Sequence, residues 1–352
     1  MMMAVLNQPI SRMADTRVLG MSEMSSSTLT NGTDATRTNG VNIRDAPPPF
    51  NKRTADIILR SSDHVDFRVR QSILAEASPI FESMFSLPQL PENRKRKERD
   101  EAEYRDGVQV IGLAEGSRVL DALLRFCYPV EDPLLPTLKV TCEVLEAARK
   151  YDMAYVVAQV KKQFLTRAAQ QPLQAYIVAV TRGWVEEMRE AARCTLRREI
   201  RWDAYIPEME LISAGAWYRL RAYHSACSDA VSRLVDTTQP NEEGAILDWL
   251  TTTQWPWFNC ICADGEVQKP CGAARIPCRS AAWFENYMRD MKQRLRERPH
   301  RTTVVESDVG EDQLDNASCK TCLTQKASRK VYLKEFEGIL MQEIDKTISK
   351  AR

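Results

Sequence analysis

The chain has 352 residues, 43% of them hydrophobic and 28% charged, and 49 Lys and Arg set against 48 Asp and Glu leave a formal net charge of +1. That length has room for about two domains, and a charge so near neutrality provides no global field to hold DNA or an acidic membrane, so neither nucleic acid nor a membrane is the expected partner. No apolar run approaches the roughly 20 residues needed to cross a bilayer.

Residues 1 to about 50 are rich in Ser, Thr, Asn, Met and Gly and close on Pro47-Pro-Pro49. They show no apolar period and are expected to be disordered, with order beginning near Thr54. Ile57, Ile58 and Leu59 form a continuous apolar run, as in a buried strand. Ser61-Ser-Asp63 is turn chemistry, and Val65, Phe67 and Val69 then alternate with polar neighbours, so the two strands predict a hairpin. Ile73-Leu74-Ala75 with Ala77 reads as a short helix. Ser78 followed by Pro79 is an N-cap with proline at the first helical position, and Ile80, Phe81, Met84 and Phe85 share one face of the next helix.

Pro91 to Gly107 is almost wholly charged with both signs mixed and is expected to be a solvated loop. The alternative reading of its Arg94-Lys-Arg-Lys97 run is a nuclear-import signal. Val108, Val110 and Leu113 form a third strand and its exit. A helix from Ser117 carries Val119, Leu120, Leu123, Leu124 and Cys127 on one side; after a proline-bearing loop over 129–136, one helix carries Val140, Val144, Leu145 and Ala148 and another Met153, Val156, Val157, Val160 and Phe164.

Pro172 to about Leu196 predicts two antiparallel helices, with Trp184 and Met188 facing inward beside Tyr176 and Val180. Leu211 to Leu234 is also helical. From about Asp236 the texture changes: Trp249, Trp255, Trp257 and Phe258 crowd together and cysteines begin. A helix over Ala282 to Arg298 buries Trp283, Tyr287, Met288, Met291 and Leu295, and Glu306 to Ala317 reads as an acidic loop. A last amphipathic helix, from roughly Arg329 to Lys350, sets Leu333, Phe336, Leu340, Ile344 and Ile348 on one stripe.

The segment Asp56 to Phe85, with Leu120-Asp-Ala-Leu-Leu-Arg-Phe-Cys-Tyr128 and Val144-Leu-Glu-Ala-Ala-Arg-Lys-Tyr-Asp-Met153, resembles the BTB/POZ domain, most closely the version common in fungal proteins. The resemblance covers roughly residues 52 to 168. It implies an α+β, predominantly helical fold: a small sheet with clustered helices, followed by a helical extension over 170–235 and a Cys-rich region over 236–352. It also implies a homodimer, for which the candidate pairing residues are Ile73, Leu74, Ile80, Phe81 and Met84; filling the domain core is the other reading of the same side chains. Some members bind a cullin scaffold and deliver substrates to a ubiquitin ligase. The hydrophobic-x-Glu element of such adaptors is not evident here, its loop being the charged insert. Where the family usually carries His after the Phe-x-Val strand this chain has Arg70, which can donate but not accept.

Met1 to Ile10 is too short and interrupted for a secretory leader, so the expected setting is intracellular, in the cytoplasm or the nucleus. There the ten cysteines are thiols or metal ligands rather than disulfides. Cys319-x-x-Cys322 has the spacing of a zinc half-site, and Cys260-x-Cys262 could complete a structural four-thiolate site. His224-x-x-Cys227 offers an alternative pair, while Cys271 and Cys278 are spare. The BTB resemblance, which includes the Tyr223-His224-x-x-Cys227 element, Trp257-x-x-Cys260 and the late CxxC, favours metal. Unligated packed thiols and a redox dithiol are the competing readings. His64 in the hairpin turn and His300 after a basic helix read as surface residues.

No catalytic or cofactor motif appears. The glycines have neither P-loop nor dinucleotide spacing, and no Gly-x-Ser-x-Gly elbow is present. The basic runs Arg193 to Arg201 and Lys292 to Arg301 alternate with apolar positions and read as wet faces of helices, with a phosphate contact as the alternative. The expected function is a non-enzymatic adaptor or scaffold, in which the first domain dimerises and the rest recruits a partner. A ubiquitin-ligase adaptor and a nuclear regulator are the other two readings.

Overall fold

The structure, a computed structural model, describes residues 42–86, 104–202, 205–236, 255–258, 269–271, 276–278 and 280–351. They fall into two compact units, one running to Thr166 and the other starting at Arg167.

The first unit is built on a sheet of β1 (Arg44–Asp45), β2 (Ile57–Arg60), β3 (Val65–Val69), β4 (Tyr104–Arg105) and β5 (Val108–Gly112), ordered β1-β3-β2-β5-β4. The expected hairpin pairs β2 with β3, Ile57 opposite Val69 and Arg60 opposite Asp66. Its turn closes because the Ser61 hydroxyl accepts the Val65 N–H at 3.0 Å and His64 takes the left-handed conformation, φ 60°.

Order starts earlier than Thr54. Phe50 is fully buried, its ring 5.8 Å from that of Phe67 and 5.2 Å from that of Tyr128, and β1 runs parallel to β3. The buried Phe50 and Ala46 side chains and the Ala46 N–H to Asp66 carbonyl and Arg68 N–H to Phe50 carbonyl hydrogen bonds tie this polar, proline-rich stretch to β3. The end of the expected charged loop is also structured. β4 and β5 form a second hairpin through Asp106 and Gly107, at φ 53° and 77°; two adjacent positive φ values are the requirement of a type I′ turn, which Asp-Gly meets. The rest of that insert, with Arg94-Lys-Arg-Lys97, lies outside the described residues.

All five residues of β3 are buried, including the polar ones. Asp66, fully buried, accepts from Arg60 Nε and Nη2 at 2.7 and 3.0 Å and from Arg105 Nη1 at 2.7 Å. Arg105 also pairs with Asp45 at 2.9 Å, and Arg68 with Asp106. Burial pushes the Asp66 carboxyl upward, but the two guanidinium groups outweigh it and hold it below its ordinary value. A charge is tolerated there because both oxygens are satisfied.

Around the sheet lie α1 (Gln71–Ala77), α2 (Pro79–Ser86), α3 (Ser117–Arg125) and α4 (Leu138–Lys150), while α5 (Ala154–Gln170) carries the chain across the division. In the second unit α6 (Pro172–Thr181) and α7 (Val185–Thr195) pack as the expected helix pair. Tyr176, Val180 and Met188 are buried. Trp184 is only half-buried: it precedes the first turn of α7, with the Arg182 guanidinium 5.4 Å over its ring.

A short 3₁₀ turn (Pro207–Leu211) leads to α8 (Ala214–Leu234), then the ribbon β6 (Lys269–Cys271) and β7 (Ile276–Cys278), α9 (Ala282–Glu297), α10 (Thr302–Val305), α11 (Val309–Asp315), α12 (Lys320–Thr324) and α13 (Lys326–Lys350). Their core is aromatic. Trp255 and Trp257 stack at 5.1 Å, and Phe336 meets Trp257 edge-on at 5.7 Å. The α13 stripe of Leu333, Phe336, Leu340 and Ile344 is fully buried, with Ile348 partly so. Trp249 lies outside the described residues.

The acidic stretch 306–317 is not a loop. It contains α11, with Val309, Gly310 and Leu314 buried. Its acids occupy the outer face and meet α13: Glu311 pairs with Lys330 at 2.8 Å and Asp315 with Lys326 at 2.7 Å.

Candidate interaction surface

The α1–α2 pair is held rigidly from below. Gln71 N–H at the start of α1 donates to Asp56 Oδ1 at 2.8 Å, and the Arg70 N–H donates to the Tyr128 hydroxyl at 2.9 Å. The junction at Arg70 therefore needs no acceptor from that side chain, whose guanidinium reaches Thr54 Oγ1 at 3.2 Å. Ser78 caps α2 as expected, accepting the Phe81 N–H at 3.1 Å, and its own hydroxyl donates to the Tyr151 carbonyl at 2.5 Å. The Phe81 ring stacks on Tyr151 at 4.6 Å. Tyr151 in turn donates to Glu115 at 2.6 Å, and Lys150 reaches the same carboxylate at 2.7 Å. Burial opposes ionisation of Glu115, but these two hydrogen bonds overcome it and hold its carboxyl low.

The five candidate pairing residues separate by depth. Leu74 and Phe81 are fully buried within the unit, so their side chains are spent on its core. Ile73 and Met84 are half-buried, and Ile80 is 43% exposed. Ile80 and Met84, four residues apart on α2, share one stripe.

Of the candidate metal ligands, Cys260 and Cys262 lie outside the described residues. His224 and Cys227 sit one turn apart on α8, both buried. His224 Nε2 has no hydrogen-bond partner, and burial pushes its imidazole down to about 4 and the Cys227 thiol up to about 11. Cys322 is fully buried in the aromatic core and Cys319 packs against it. Among the described residues no three His, Cys, Asp or Glu gather in a metal-binding cluster. The described candidates are thus two sequence pairs, His224 with Cys227 and Cys319 with Cys322.

His64 is exposed, as expected. His300 is not a simple surface residue: it is half-buried, its Nδ1 accepting the Thr302 N–H at 3.2 Å. Burial first, then Arg197 and the flanking Arg301 and Arg298 against the opposing Asp345, bring it down to about 4.

The first unit thus joins a small curled sheet and clustered helices to a partly exposed apolar stripe, Ile80 and Met84, on α2. Residues 49–168 match the BTB/POZ domain, and the chain carries that domain, a module that is itself non-enzymatic and that mediates self-association and binding to other proteins. No curated protein matches the chain. No described helix is long and apolar enough to cross a membrane.

Proposed function

We propose that this chain is a non-enzymatic adaptor or scaffold that pairs through its BTB/POZ domain and presents its second unit to a partner protein. One observation carries this reading. On α1 and α2 the core takes Leu74 and Phe81, while Ile80 is exposed and Ile73 and Met84 are only half-buried, with α2 capped by Ser78. A preorganised apolar face loses little freedom on docking. The test is light scattering of the full chain carrying Ile80→Asp with Met84→Asp. A fall from dimer to monomer with unchanged circular dichroism supports the reading, and an unchanged dimer overturns it. In its narrower form the partner is a cullin scaffold, which a pull-down without recovered cullin contradicts.

Within the same reading zinc is a staple and not a catalyst, held by Cys260, Cys262, Cys319 and Cys322 or with His224 and Cys227 as one pair. The support is the buried, unpartnered His224 Nε2 with Cys227 one turn on. Ligation requires the thiols to ionise, so binding would be coupled to pH and to folding. Elemental analysis of chelator-free protein is expected to give about one equivalent of zinc; none would remove the staple from the account.

A further inference from the structure

We propose that the second unit carries a docking site for a partner-protein segment bearing clustered negative charge, formed by Arg197, Arg198 and Arg201 after α7, Arg221 on α8 and Arg296 at the end of α9. All five are exposed, and none makes an ion pair among the described residues. Neighbouring arginines differ: Arg193, Arg298 and Arg301 are neutralised by Glu190, Glu306 and Asp345.

The five belong to segments that one helix brings together. Trp202, the residue after Arg201, packs edge-on against Trp217 and His224 of α8 at 5.5 and 5.2 Å. Farther along α8, the Ser228 hydroxyl donates to the Arg296 carbonyl at 2.6 Å. Trp217, Arg221, His224 and Ser228 follow at helical spacing and lie on one stripe, which rises about 17 Å. Arg221 thus sits between the two attachment points, with one basic run moored at each.

Unpaired arginines present planar forks to carboxylate or phosphate oxygens. Exposed Glu199 and Glu297 lie within the two runs. A continuous nucleic-acid strand, with a phosphate at every nucleotide, would meet those carboxylates, whereas a short acidic cluster on a polypeptide can sit between them. This site goes beyond the pairing reading and does not depend on it.

Fluorescence anisotropy of the full chain tests the site with labelled peptides of equal length: an oligoglutamate, a multiply phosphorylated serine peptide, and a neutral serine–glycine control. A single-stranded oligonucleotide of matched charge is the fourth probe. An anionic peptide is expected to bind and the neutral one not, the tighter of the two anionic peptides identifying the source of charge. Arg201→Glu and Arg221→Glu should each weaken binding about tenfold, while Arg118→Glu on the first unit should leave it unchanged. Arg198→Gln serves where a charge reversal alters the circular dichroism. Equal binding of the neutral peptide, tighter binding of the oligonucleotide, or unaltered affinity in the site variants would overturn the proposal. Light scattering of the same variants, expected to show unchanged mass, keeps this result separate from the pairing reading.

Discussion

The Ser78 hydroxyl donates to the main-chain carbonyl of Tyr151 while accepting the N–H of Phe81, so one oxygen both caps α2 and fastens it to the end of α4. The contact spans 73 residues of sequence and fixes the helix that carries Ile80 and Met84. Ser78→Ala removes both hydrogen bonds inside a buried site. The expected cost is about 1–3 kcal/mol of stability, read from the urea midpoint of the first unfolding transition. A change below about 0.5 kcal/mol, the range of an ordinary surface substitution, would mean that the cap does not hold the helix.

Asp63 provides a pH-dependent tie. It accepts both the N–H and the hydroxyl of Ser117 at the start of α3, at 2.7 and 2.6 Å, and the Ser117 hydroxyl leads in bringing its carboxyl from 3.8 to about 2. The folded state therefore releases this proton more readily than the unfolded one. Its contribution is complete above pH 3.8 and is lost as pH falls toward 2. Ser117→Ala should flatten the acid dependence of the unfolding midpoint in that window and leave the slope near neutrality unaltered.

Gly107 and Gly112 form a controlled pair. Neither would meet a neighbour if given a Cβ, but only Gly107 has positive φ, 77°. Gly107→Ala should destabilise by about 1–2 kcal/mol through backbone strain alone, and Gly112→Ala should stay within about 0.5 kcal/mol. Equal effects would contradict the type I′ turn between β4 and β5.

Gly310 and Gly338 form a second pair, in the other unit. A Cβ at Gly310 would lie 2.8 Å from Leu333, 3.1 Å from Tyr287 and 3.2 Å from Glu337, whereas one at Gly338 meets nothing. Gly310→Ala should cost about 1–3 kcal/mol by overpacking α11 against α13, and Gly338→Ala should add about 0.5–1 kcal/mol of helix propensity. Thermal unfolding of the two variants separates the outcomes.

Much of the fold was legible because local period and burial agree. The Ile57–Leu59 run, the Val65, Phe67, Val69 alternation, the Ser78-Pro79 start and the Leu333-to-Ile344 stripe each report one buried face. The alternation misled for Asp66 and Arg68. Period 2 marks the apolar face, but the opposite face is covered too, by charges arriving from β1, β2 and β4, and no local pattern records such partners. The acidic stretch 306–317 concealed α11 for a related reason: its charges are answered by lysines on α13. The Asp106-Gly107 signal was present, yet the charged run before it dominated the reading. For the interaction surface, sequence nominated five apolar residues but could not divide Leu74 and Phe81, taken by the core, from Ile80, which faces out. The arginine site is assembled from three separated segments, so only the packing of Trp202 and Ser228 brings it into view.

Multi-angle light scattering of the full chain over a range of concentrations tests the central claim most directly. Pairing through the BTB/POZ domain predicts a mass twice that of the chain, falling to the single-chain value in the Ile80→Asp, Met84→Asp double variant. A single-chain mass for the unaltered protein at every concentration would contradict it.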